Sequence, residues 1–98
     1  MTWQKQIVEQ YGEEYILRQL AEESAELCQA ALKLVRVMRE ETPVRWQEGQ
    51  AHLLEEIADV KIMIDMMEGS VITTEARLQI EHIYALKEKR MKTRMLED

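Results

Sequence analysis

Residues 13–39, EEYILRQLAEESAELCQAALKLVRVMR, contain neither Gly nor Pro and consist mainly of good helix formers. Ile16, Leu20, Leu27, Ala30 and Leu34 recur at helical spacing and draw one apolar stripe along the segment. At about 100° per residue, Glu23 falls near the middle of that stripe, with Ile16, Leu27, Ala30 and Leu34 within about 40° of it. Glu26 occupies the shoulder. An acid in the middle of a face meant for burial is the first anomaly of the chain.

The same anomaly recurs downstream. A helical segment is predicted over about 50–68, with Glu56 at the centre of a stripe formed by Val60, Met63 and Met67, and Asp59 on its shoulder. The pairs 23/59 and 26/56 are both centred on position 41, beside Thr42-Pro43. Thr followed by Pro reads as an N-cap and first helical residue, so a third helix is expected to start there. Gly49 lies inside that helix or breaks it; the sequence leaves both open. An antiparallel hairpin turning at the corner sets Glu23 opposite Asp59 and Glu26 opposite Glu56. Residues three apart on a helix are about 5–6 Å apart at Cβ, and packed helices lie about 8–10 Å apart. Four carboxylates could then meet.

Outward from this pair, a short helix is expected from about Thr2 to Gln10, with Gly12 as a break. After Gly69-Ser70, Thr73 or Thr74 with Glu75 can cap a fourth helix reaching toward Met95. No strand, repeat or linker is evident. The expected fold is all-α, a four-helix bundle in one domain over residues 1–98. So short a chain has little private core, so homo-oligomerisation is expected to complete it. The Met-rich stretch Met63, Met66, Met67 suits such a core or subunit interface.

The formal net charge of −6 argues against a general nucleic-acid binder or a protein of anionic membranes. Lys61 and Asp65 interrupt the most apolar segment, so no membrane span is expected. Cys28 is the lone cysteine and reads as a small buried hydrophobe. With two His, the chain lacks the ligands of a structural zinc site. The first residues carry no apolar signal core, and a reducing cytoplasm is the expected home. Four converging carboxylates need protonation, basic partners or a cation to neutralise them. As hard oxygen ligands they suit Mg²⁺ or Mn²⁺.

The segments Glu22-Glu23-Ser24-Ala25-Glu26-Leu27 and Glu55-Glu56-Ile57-Ala58-Asp59-Val60 resemble the MazG-like all-α nucleoside triphosphate pyrophosphohydrolases. That family is marked by Glu-Glu-x-x-Glu on one helix and Glu-x-x-Asp on the next. Tyr11-Gly12 before the first motif and the apolar run Val60 to Met67 after the second are also similar. The twenty-nine residues between Glu26 and Glu56 slightly exceed the usual interval, as an extra residue or two at the corner would produce. The resemblance implies Glu23, Glu26, Glu56 and Asp59 as Mg²⁺ ligands. It also implies Lys87, Arg90 and Arg94 as contacts to the triphosphate, and a homodimer or homotetramer with sites at helix interfaces. Glu22 becomes a candidate base or a support for the ligands, against its plainer reading as a solvated helix residue. The implied reaction splits a ribo- or deoxyribonucleoside triphosphate into monophosphate and pyrophosphate.

Other readings stand beside these. A basic last turn often does no more than complement the helix dipole. Trp46, like Trp3, could stack on a base or merely pack at a helix end. His52 projects near Glu56 and Asp59, where it could touch substrate or cap the surface. The alternatives to an enzyme are a nucleotide–Mg²⁺ binder without turnover and a helical module whose acids meet a basic partner.

Overall fold

The computed structural model describes residues 2–68 and 70–96, and among these it is all-helical. Helix α1 spans Trp3–Tyr11, α2 Glu13–Met38, α3 Trp46–Met67 and α4 Thr74–Leu96. Thr2 caps α1, its Oγ1 accepting the Lys5 N–H at 3.2 Å. Gly12 separates α1 from α2 at φ +89°, a left-handed value that costs glycine no steric clash. Thr73 caps α4 by accepting the Ala76 N–H at 3.1 Å. Gly69, expected to end the third helix with Ser70, lies outside the described residues.

The corner between α2 and α3 differs from expectation. α2 ends with Glu40 at φ +58°, while the Glu40 N–H donates to Val37 O and the Glu41 N–H to Arg36 O. These are the two bonds of a Schellman stop. Thr42 and Pro43 therefore do not start α3. Thr42 Oγ1 instead accepts the Val44 N–H at 3.4 Å, and the helix begins three residues after Pro43, at Trp46. The intervening residues carry the chain across the gap between two helix axes, about 8–10 Å.

α2 and α3 form the principal packed pair, with α1 touching both. Ile16, Ala30, Leu34 and Met66 are the buried apolar residues, and Leu20, Leu27, Met63 and Met67 are half-buried beside them. The α2 stripe is thus the one expected from periodicity. α3 runs unbroken through Gly49, which is buried in the packed seam. A Cβ there would stand 3.1 Å from Leu34 Cδ1 and 3.5 Å from Val37 Cγ2. A larger side chain would drive the helices apart at this contact. We expect Gly49→Leu to cost roughly 1–3 kcal/mol by overpacking, read from thermal unfolding; unchanged stability would refute this close approach.

α4 packs against no other helix among the described residues. Leu78, Ile80, Ile83, Tyr84, Met91 and Met95 along it are all exposed. The single chain is therefore not a closed four-helix bundle. Its radius of gyration is 17.2 Å, against about 12.6 Å for a compact domain of this length. Its accessible surface is 8059 Å², against about 5,800 Å² for a compact monomer of this mass. Cys28 is exposed rather than buried, because it points well away from the Ile16–Leu34 stripe. No helix among the described residues is long and apolar enough to cross a membrane.

Candidate metal centre

Glu23 comes from the middle of α2 and Glu56 and Asp59 from the middle of α3. Each offers an oxygen such that the three lie within 4.8 Å of one another. The antiparallel register brings them together, and the places of Glu23 and Glu56 on the packed stripes turn those two inward. Glu56 is 8% exposed and Glu23 half-buried. One oxygen of each, Oε2, is buried without a hydrogen-bond partner among the described residues. Glu26 and Asp59, on the shoulders, are exposed, as their projection requires. Glu26 falls outside the set of three yet acts on both buried acids.

Unpartnered buried carboxylate oxygens cost free energy, and adjacent like charges raise that cost. Burial pushes the Glu23 carboxyl above the ordinary 4.5, with Glu26, Asp59 and Glu56 pushing the same way. Burial likewise raises Glu56, helped by Glu26 and Asp59 and partly opposed by His52. Such a set fits a divalent cation, because one oxygen each from Glu23, Glu56 and Asp59 gather from two helices to within 4.8 Å of one another, and each of the two glutamates has a buried oxygen without a hydrogen-bond partner.

In the metal-free protein these acids hold protons more tightly folded than unfolded, so their stabilising effect is present below 4.5 and fades as pH rises through their raised folded values. We therefore expect Glu23→Gln/Glu56→Gln, compared with the parent, to be relatively more stable as pH rises from about 4.5 into the neutral range. Saturating Mg²⁺ should reduce that contrast by stabilising the parent. Parallel curves of thermal midpoint against pH, with and without Mg²⁺, would refute it.

His52 stands beside the candidate ligands, as its projection near Glu56 and Asp59 implies. It is half-buried one turn before Glu56, its Nε2 3.2 Å from Glu56 Oε1. The four-residue spacing on one face was the available signal. Glu22 stands outside the cluster, exposed, with Oε2 accepting the Gln19 Nε2 amide at 3.3 Å. Trp46 is the first residue of α3, 41% exposed. Lys87, Arg90 and Arg94 lie exposed on α4, and none pairs with these acids among the described residues. No protein-family model, curated protein or solved structure matches the chain.

Proposed function

We propose that the chain is a Mg²⁺-dependent nucleoside triphosphate pyrophosphohydrolase of the MazG-like all-α kind, working as a homo-oligomer. The observation that carries this reading is the convergence of Glu23, Glu56 and Asp59 from two helices, with one buried, unpartnered oxygen on each of the two glutamates. Glu23, Glu56 and Asp59 would hold the ion, with Glu26 at its edge. A bound Mg²⁺ would supply Lewis-acid chemistry to phosphate oxygens and to a hydrolytic water. His52 orients Glu56, and the apolar residues of the α2–α3 seam screen Glu56, and in part Glu23, from bulk water.

The surface that one chain leaves uncovered supports self-association. The excess over a compact monomer is about 2,200 Å² per chain, the scale of an obligate interface. Leu54, Ile57 and Ile64 on α3 and the apolar residues of α4 are the surfaces to be covered. Pairing α4 against a second copy is also the route by which Lys87, Arg90 and Arg94 would meet a triphosphate. The decisive assay is pyrophosphate release from the common ribo- and deoxyribonucleoside triphosphates, with Mg²⁺ and with chelator. Mg²⁺-dependent release supports the hydrolase. Tight nucleotide binding without release would favour a nucleotide sensor, and indifference to both Mg²⁺ and nucleotide would favour a helical interaction module.

A further inference from the structure

A second feature adjoins the carboxylates on the side of the α2–α3 corner. There the end of α2, the start of α3 and the corner border an open cavity of about 570 Å³. Lys33 and Val37 of α2, Thr42 and Val44 of the corner, and Glu48 and His52 of α3 are among its walls. Its connection to the candidate metal centre is His52, which lines the cavity and whose Nε2 stands 3.2 Å from Glu56 Oε1. The four residues from His52 to Glu56 rise about 6 Å along α3. A ligand whose phosphates sit at Glu56 thus has the cavity about one helical turn away.

We infer that this cavity receives the nucleoside half of a nucleoside triphosphate, base and sugar together, with the polyphosphate passing His52 to the carboxylates; the inference rests on the hydrolase reading above. Size supports it, since small-molecule pockets run from about 300 to 1,000 Å³, and a single phosphate would leave most of this volume unfilled. Charge supports it as well. A pocket for the distal phosphates should be lined by cations, yet Glu41 and Glu48 stand in the wall beside Lys33 and Arg36. Acids there would repel a phosphate but can accept hydrogen bonds from the amino or imino edge of a base. Val37 and Val44 offer the apolar contact that a heterocycle's faces need, and Thr42 a hydroxyl for an edge or a sugar. Lys33, nearer than Arg36 to the acids along α2, suits the phosphate next to the sugar.

The arrangement assigns direction. The nucleoside lies toward the corner, and the β and γ phosphates extend the other way, toward the N-terminal half of α2. Base recognition then belongs to the corner rather than to Trp46, which is not among the lining residues.

The test fills the cavity without touching the carboxylates. Val44 is 43% exposed between two helices, so Val44→Trp should fold with unchanged helix content. Binding is measured by calorimetry with Mg²⁺, using two probes: α,β-methylene nucleoside triphosphates and inorganic tripolyphosphate. The variant should weaken the nucleotide analogues by about tenfold or more while tripolyphosphate stays within about twofold. Equal effects on both probes, or no effect on the analogues, would overturn the inference and leave the hydrolase reading intact. Wild-type protein that binds tripolyphosphate but no nucleotide would overturn the inference and also the nucleotide substrate of the hydrolase reading, leaving only a polyphosphate site. Wild-type protein that binds neither would remove both readings at once. Should Val44→Trp lose helix content, Thr42→Trp at the same corner makes the comparison under the same criteria.

Discussion

Glu56→Gln should lower Mg²⁺-dependent pyrophosphate release by at least about 10²-fold, because a lost metal ligand removes several kcal/mol of transition-state stabilisation and about 1.4 kcal/mol is tenfold. The fold should survive. Gln has nearly the shape of Glu, and the exchange removes one of several like charges that crowd the α2–α3 seam without a hydrogen-bond partner for Oε2. Metal-free Glu56→Gln should therefore melt no lower than the parent, while losing the stabilisation Mg²⁺ confers. For the parent at a hundred times the dissociation constant, that stabilisation is about 2.7 kcal/mol. Lower activity together with a lower metal-free midpoint would signal general damage rather than a lost ligand. Unchanged turnover would refute the site assignment. Glu22→Gln serves as the contrast, since Glu22 is exposed and bonded to Gln19 away from the cluster. Its turnover should stay within about threefold of the parent, less than about 1 kcal/mol.

Ile83→Glu should break the assembly. Ile83 sits midway along α4, 47% exposed in the single chain, where a charge disturbs nothing within that chain. Against a second copy the same charge would be buried without a partner, at about 3–5 kcal/mol, or roughly 10²–10⁴-fold in dissociation constant. Sedimentation of the parent should give a multiple of 11.6 kDa, with Ile83→Glu shifted toward a single chain. Thermal stability should fall with it, because obligate oligomers often have no stable folded monomer. A parent that sediments as a monomer at micromolar concentration would contradict the expectation that a second copy covers α4.

The helices and the buried acids were legible in the sequence for one reason. Helical periodicity is rigid enough to tell which residues share a face, so Glu23 and Glu56 could be placed among Ile16, Ala30, Leu34 and Met63 by counting alone. The same counting separated the central acids from the shoulder acids, Glu26 and Asp59, which are exposed. The start of α3 was misread because Thr-Pro satisfies two local geometries. As an N-cap it would begin a helix, but after the left-handed Glu40 it completes a turn, with Thr42 Oγ1 accepting the Val44 N–H. Gly49 was ambiguous because helix propensity disfavours it, whereas the approach of Leu34 and Val37 rewards the missing side chain. The standing-off of α4 was not legible, since an apolar stripe records that a face needs covering and not which chain covers it. Cys28 failed similarly: its type favours burial, but its helical phase points it outward.

The claim on which the rest depends is that Glu23, Glu56 and Asp59 hold a divalent cation. Anomalous diffraction at the manganese edge, from crystals grown with Mn²⁺, tests it most directly. The expected result is one peak per chain at coordinating distance, roughly 2.0–2.2 Å, from oxygens of all three side chains. Density in which these carboxylates lie apart, with Mn²⁺ elsewhere or nowhere, would contradict it.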